Sequence, residues 1–388
     1  MRIIYINIGG SLKVSSIYKK IQGQVNAFAN NGVDCKGYFL STEVSKQQAY
    51  SENIDFVPVK KSLRKYFPQL QQQTNYLNSL ETLLKKESFD YVYLRFPFSH
   101  PKLLSILKQY PKKVIIEFNS ISSSETRSHS KNKHYDGYIS GVLSKLQDIQ
   151  IPIFYDWLLM TSIVNQAKLI VGVTSELVEF YKTKKSDGIA IPNGIDVSLY
   201  ATRISPSISK SKIIMLILDG TSTDAPWQGM DRLIKSIRHH KLENNLEVWI
   251  CSDKNEYASL PFIKELGYLN GEKLTNLFNS VHFGSGKFST HRSGIKDISA
   301  LKSREYISRG LPLAYAGNDS DIENSDLNKY AYKIPNDESI INLPDIIKWI
   351  CKLYENRPNH AEEMKELAYK KLSFDIKISE LLTYLKKE

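Results

Sequence analysis

The sequence predicts an α/β protein of two tandem domains, each a doubly wound parallel sheet, on three observations. Apolar, β-rich runs alternate with helix-period segments along the whole chain. The alternation restarts after a polar, Ser-rich stretch, ATRISPSISKS at 201–211, which reads as a linker. The length of 388 residues is long for one domain and comfortable for two, each large enough to bury its own core.

The elements follow in order. In the first domain, 1–200, the candidate strands are Ile3–Ile8, Cys35–Leu40, Tyr91–Phe96, Lys113–Phe118, Leu169–Thr174 and Gly188–Pro192. Each is a short apolar run bounded by polar or turn residues. After the first strand, IYKKIQGQVNAFANNG spaces Ile17, Ile21, Val25, Phe28 and Ala29 along one helix face and stops at Asn31-Gly32, a C-cap signal. Ser120–Ser140 is polar and aperiodic, and reads as a loop after a strand. In the second domain, 201–373, the strands are Ile213–Leu218, Leu246–Cys251, Ile263–Leu269, Ser280–Gly286, Leu311–Gly317 and Ala331–Pro335. Residues 374–388 form a last helix, expected to pack back on the first domain. Both halves are Rossmann-like.

Composition narrows the function classes. Hydrophobic content of 41% and charge of 24% are ordinary for a globular protein, and no apolar run approaches the roughly 18 residues of a membrane span. MRIIYINIGG reads as a buried first strand rather than a signal peptide, so the expected location is the cytoplasm. Cys35, Cys251 and Cys351 are odd in number and far apart, which suggests neither a disulfide framework nor a zinc set. The net charge of +11 is uneven: residues 1–200 hold 25 Lys and Arg against 16 Asp and Glu, whereas 201–388 hold 27 against 25. The basic first half suits anionic lipid headgroups or nucleic acid, or is simply a solvated surface.

In parallel α/β sheets, ligands collect beyond the carboxyl ends of strands, where loops enter helices. Gly9-Gly10 ends the first strand but lacks the G-x-G-x-x-G dinucleotide fingerprint. Asn193-Gly194 in IPNGID reads as a turn. LKSREYISRGLPL (Leu301–Leu313) carries more. If Ser299 caps a helix here, Lys302 stands in its first turn, which the helix dipole disfavours unless a bound anion lies between. In the alternative, Lys302 and Arg304 are solvated and Glu305 pairs with Arg309 at i,i+4. The letters DSD at Asp319–Asp321 read as a loop rather than a metal site.

Taken together these pieces resemble the retaining GT-B glycosyltransferases that use nucleotide-sugar donors, the large group 1 or family 4-like family, in its bacterial polysaccharide branch. That family carries two acidic residues with seven between them, then Ala/Gly-Leu-Pro-hydrophobic. Asp297, Glu305 and RGLPL match it, with Asp in place of the usual first Glu. THRSGIKD (Thr290–Asp297) resembles the branch's His-basic-x-Gly loop, WQGMDRLIKSI (Trp227–Ile237) its "KG-x-x-x-L" helix, and GYLNGEKLTNLF (Gly267–Phe278) its base-receiving loop and helix. GVTSELVEFY and IPNGIDVSLY resemble the end of its first domain, and the likeness spans nearly the whole chain.

The resemblance implies two Rossmann-like domains facing across a cleft, the first binding the acceptor and the second the nucleotide sugar. It implies that Glu305 accepts hydrogen bonds from the ribose, and that Lys302 with the N–H groups near Ser299, Ala300 and Leu301 holds the diphosphate. Asp297 with His291, Arg292, Ser293 and Gly294 would contact the donor sugar, Gly267 and Tyr268 the base, and Gly220 and Gln228 the donor phosphates. Gly9 and Gly10 would let backbone approach the donor, while Glu117, Asn119 and Glu125 stand on the acceptor side. Many relatives place an Arg after the second domain's first strand and a Lys before the Gly of the next helix. Here Asp219-Gly220-Thr221-Ser222 and Gln228-Gly229 stand in those places, so phosphate charge falls to Lys302, to Arg292 or His291, to Arg232 if it turns inward, or to the helix dipole.

The implied activity is transfer of a sugar from a nucleotide-sugar donor, UDP favoured, to a glycan or lipid-linked acceptor with retention, in bacterial surface polysaccharide synthesis. No cofactor and no metal is expected, nor nucleic acid as a partner; the basic first domain would meet an anionic membrane surface peripherally. The alternative is a catalytically degenerate GT-B subunit that binds a glycan or a partner glycosyltransferase, favoured by the two missing cations.

Overall fold

The computed structural model describes residues 1–9, 16–43, 52–64, 67–123, 138–208, 212–219, 225–252 and 256–387. Gly10, Gly220, Glu125 and most of the expected loop at 120–140 lie outside the described residues.

The chain forms two compact units, Met1–Ile191 with Lys377–Glu388, and Pro192–Ile376. The first holds a seven-stranded parallel sheet in the order β3-β2-β1-β4-β5-β6-β7: β1 Arg2–Ile8, β2 Asp34–Ser41, β3 Ile54–Pro58, β4 Tyr91–Arg95, β5 Val114–Phe118, β6 Leu169–Gly172 and β7 Asp187–Ala190. The second holds a six-stranded parallel sheet in the order β10-β9-β8-β11-β12-β13: β8 Ile213–Leu218, β9 Leu246–Cys251, β10 Ile263–Glu265, β11 Phe283–Ser285, β12 Leu313–Ala316 and β13 Ala331–Ile334. In each sheet the chain runs outward in one direction, returns to the centre and runs outward in the other. The strand order therefore reverses between β1 and β4 and between β8 and β11, where open α/β sheets leave a crevice.

Each predicted strand is present, some of them shorter. The sequence pattern missed β3, IDFVP, because Asp55 breaks its apolar run and Pro58 removes a ladder donor. That composition is tolerated because β3 is an edge strand, paired only with β2.

The segment 192–208, which includes the described part of the linker expected at 201–211, is held by specific contacts. Asn193 bonds Ser299, Ile195 bridges Ser373, and the Tyr200 carbonyl accepts from Lys365, so the segment packs within the second unit. Arg203 is buried, its backbone N–H donating to the Arg309 carbonyl and its guanidinium to Tyr354 Oη at 2.7 Å. A buried arginine fixes this stretch as part of the fold, and the second unit begins at Pro192.

Two close approaches seat the helix Leu301–Arg309 between β11 and β12. Tyr306 lies flat on Gly284 of β11, where an added Cβ would come within 2.7 Å of the ring. Its hydroxyl accepts the Leu218 N–H at the end of β8 at 2.8 Å. At the other end Gly310 takes φ 80° and presses on Ala361, so any side chain there would meet both backbone strain and a clash. The helix is thus fixed in height and rotation over the carboxyl ends of β8 and β11.

Candidate functional site

Lys302 is the first side chain this placement delivers to the second crevice. Its Nζ donates to Gln228 Oε1 at 2.9 Å, with Asp219, at the carboxyl end of β8, in Coulombic range. Burial pushes the Lys302 pKa below the ordinary lysine value, and Asp219 pulls it partly back. Gln228 closes the short turn Pro226–Gln228 and is held by the Phe288 N–H, which donates to its carbonyl at 3.2 Å. Gly229 follows at φ 73°, and a Cβ there would sit 2.6 Å from Ser289 Oγ. The Gln-Gly pair therefore serves a tight crossing of two loops.

Ser299 is not the helix cap. The N-cap position is Ala300, without a side-chain cap, because the Ser299 hydroxyl accepts the Asn193 N–H at 2.7 Å and its carbonyl accepts Asn193 Nδ2 at 2.5 Å. Asn193-Gly194, which the sequence offers only as a turn, is the tether that holds the strand-to-helix loop. The N-terminal turn of the helix is left uncapped beside Lys302, the arrangement that favours an anion.

Glu305 lies one turn on, half-buried, and accepts from Arg309 Nε at 3.1 Å. The guanidinium of Arg309 also stacks on Phe278 and Tyr200, with its carbon 4.6 and 4.9 Å from the ring centroids. So the i,i+4 pair of the alternative reading exists, and it leaves Glu305 Oε2 without a hydrogen-bond partner among the described residues. Arg304 is structural: fully buried, it pairs with Asp319 and Asp321 and donates Nε to the Asn193 carbonyl at 3.0 Å. The Asp319–Asp321 letters thus hold an arginine, and among the described residues no group of three or more His, Cys, Asp or Glu side chains is placed to take a metal.

The other cations considered for a phosphate are committed elsewhere. Arg292 forks onto Asp231 at 2.8 and 3.0 Å and onto Glu338 at 2.7 and 2.5 Å, and these carboxylates raise its pKa. His291 donates its Nε2–H to Glu338 Oε1, 2.6 Å away. Arg232 does turn inward, but to the carbonyls of Phe288, Pro335 and Ser339, which its buried guanidinium satisfies. Ser293 Oγ is spent on the Thr290 carbonyl and Gly294 ends the turn at φ 77°. Asp297 forms an isolated parallel bridge with Asn318, which lies just beyond the end of β12 and whose Nδ2 donates to it at 3.0 Å. Gly267 and half-exposed Tyr268 sit beyond the edge strand β10.

The first unit brings together Glu117 and Asn119 with residues the sequence reading did not single out. Lys20, on the helix Ser16–Asn30, donates to Glu117 Oε1 at 2.7 Å and to Asn119 Oδ1 at 2.6 Å. Gln24 and Tyr93 donate to Glu117 Oε2 at 3.0 and 2.8 Å, and Tyr5 donates to Gln24. Gly9, at φ 78°, leaves β1 nearby in the sheet order. The spacing held a signal: Lys20 and Gln24 are four apart on a helix whose neighbouring positions Ile21, Val25 and Phe28 are core.

Burial alone would raise the Glu117 pKa, but Lys20, Arg95 and the donated hydrogen bonds outweigh it and bring it to about 2. Burial brings Lys20 down to about 8 in spite of Glu117. A carboxylate depressed on folding stabilises the fold above its unfolded pKa, and that contribution fades as pH falls toward the folded value. Urea midpoints are therefore expected to fall between about pH 4.5 and 2, by the equivalent of on the order of 3 kcal/mol, and Glu117→Gln is expected to flatten the slope in that window.

No protein-family model matches the sequence and no curated protein sequence matches it; the likeness is carried by structure. Sucrose-phosphate synthase from Thermosynechococcus elongatus superposes with a TM-score of 0.67 at 11% identity, over 100% of this chain and 99% of that one. The Anabaena protein HepE in complex with UDP-glucose gives 0.64 at 12%, over 100% of both chains. WaaG, a glycosyltransferase involved in lipopolysaccharide biosynthesis, gives 0.63 at 13%, over 98% and 99%. The fold is GT-B. Within GT-B, the helix Leu301–Arg309 is the element of the second unit that carries both Lys302 and Glu305, so the two strongest sequence candidates share one rigid support.

Proposed function

We propose that this GT-B chain transfers a sugar from a nucleotide sugar, UDP favoured, to a glycan or lipid-linked saccharide with retention of configuration. The observation that carries the reading is Lys302 beside an uncapped helix N-terminus at the second sheet's crevice, with Glu305 one turn along the same helix. Departure of the nucleoside diphosphate builds negative charge on its oxygens and positive charge on the anomeric carbon. Lys302 and the first-turn N–H groups meet the former, a task of preorganised electrostatics that calls for no metal. Glu305 Oε2 accepts from the ribose hydroxyls. The acceptor hydroxyl attacks the face the leaving group vacates, and its proton passes to a diphosphate oxygen. UDP-glucose in HepE supports the choice of base, and WaaG supports a surface-polysaccharide setting.

Peripheral membrane association belongs to the same reading. Among the described residues no helix is long and apolar enough to span a bilayer. The helix Ile151–Val164 exposes Phe154, Trp157 and Leu158, spaced i, i+3 and i+4, in the half of the chain that carries the excess of lysine and arginine.

The engagement of Arg292, His291 and Arg232 by protein groups favours a second reading, a GT-B subunit that has lost donor binding. Calorimetry with UDP separates the two. Binding that is weakened at least tenfold in Lys302→Ala is expected; absence of heat for UDP and the other common nucleoside diphosphates establishes the non-catalytic subunit instead.

A further inference from the structure

Arg95 is the last residue of β4 and pairs in register with Glu117 of β5, so both side chains leave the sheet on the same face at its carboxyl edge. There Arg95 joins Lys20, Gln24, Tyr5, Tyr93 and Asn119, next to the reversal of strand order between β1 and β4. Glu117 is fully used by this group: Oε1 accepts from Lys20 and Asn119, Oε2 from Gln24 and Tyr93. No acceptor is left for the arginine. Arg95 Nη1 is shielded from solvent, yet no hydrogen-bond acceptor lies within reach among the described residues. A shielded guanidinium donor left unpaired costs about 1–3 kcal/mol or more, and two cations against one carboxylate leave the cluster one positive charge in excess.

We infer that Arg95 is the anchor of an oxyanion-binding subsite in the first unit, which takes a phosphate or carboxylate carried by the acceptor. The planar fork of arginine suits either group bidentately. The Lys20–Glu117–Asn119 network holds the neighbouring side chains fixed and consumes the one carboxylate that would otherwise neutralise Arg95. The word "acceptor" rests on the glycosyl-transfer reading; the anion site stands on the first unit alone.

The test uses the full chain, with UDP at saturation to occupy the second unit's phosphate site. Methyl phosphate and methyl glucuronide are titrated separately by ligand-observed NMR. Binding of at least one is expected, weakened tenfold or more in Arg95→Gln and about threefold to tenfold in Arg95→Lys, with UDP affinity unchanged and both variants folded. Methyl phosphate alone binding identifies a phosphorylated acceptor, and methyl glucuronide alone an acidic sugar. Neither probe binding the wild type, or equal binding by wild type and Arg95→Gln, overturns the proposal. If Arg95→Gln does not fold, an unchanged affinity in Arg95→Lys overturns it. If UDP itself does not bind, the transfer reading falls while the same comparison without UDP still decides the anion site.

Discussion

Lys302→Ala is expected to lower kcat/KM for sugar transfer by about 10²- to 10³-fold, the range seen when one preorganised donor to a developing negative charge is removed. The expectation is sharper than for a typical phosphate-binding lysine, because every other cation considered for the task is already paired. Arg292 serves Asp231 and Glu338, and Arg232 serves three carbonyls. The structure also explains how Gln228 can occupy a place where many relatives of the resembled family carry lysine. Lys302 Nζ sits 2.9 Å from Gln228 Oε1, so the ammonium stands beside the position from the opposite loop, and a lysine at 228 would crowd a second ammonium against it. This gives the single variant a control. The exchange Gln228→Lys with Lys302→Gln returns a cation and an amide to the same place in reversed order, and is expected to recover at least tenfold of the loss in UDP affinity measured by calorimetry. If Lys302→Ala transfers at the wild-type rate, the leaving-group role is wrong.

The comparison of Lys302 with Ser299 shows which parts of the site were legible in the sequence. Lys302 stands out in the sequence through a local conflict, a cation in the first turn of a helix, which needs only the chain direction and the dipole to see. Ser299 failed for the opposite reason. A serine before a helix is a cap by local rules, but here a residue over a hundred positions away, Asn193, claims its hydroxyl and carbonyl. Nothing short-range in IPNGID announces that partner. The strands were legible because parallel strands buried on both faces are continuous apolar runs, whereas β3, at the edge, was not. Likewise only the family resemblance pointed to Glu117 and Asn119, and the lysine that binds them comes from a helix nearly a hundred residues earlier in the chain. Arg292, His291 and Arg232 looked available because sequence shows charge without partners. Their carboxylates and carbonyls lie on loops and a helix start that only the folded sheet brings together.

Arg304→Ala is expected to destabilise the chain by about 3–5 kcal/mol, the cost of breaking a buried ion pair by removing one partner. The guanidinium is fully buried and serves Asp319, Asp321 and the Asn193 carbonyl together. Its loss strands the fully buried Asp319 carboxylate and frees the tether that holds Ser299. The urea midpoint should therefore fall more than in Glu305→Ala, one residue on, where the pair with Arg309 is lost but the guanidinium keeps its stacking on Phe278 and Tyr200 and its bond to Thr275 Oγ1. Replacing the set, with Arg304→Met, Asp319→Leu and Asp321→Asn together, should recover much of the loss, since no buried charge is then left alone. The two neighbours are distinguished by their main readouts: Arg304→Ala acts chiefly on the midpoint, while Glu305→Ala acts chiefly on nucleotide affinity. A small change in midpoint for Arg304→Ala, with a large loss of UDP binding in the folded protein, would move the arginine from the scaffold into the donor site. The short charged helix then would present three ligand-facing residues rather than two, and the pairing of Arg304 with Asp319 would be a resting arrangement that the donor displaces.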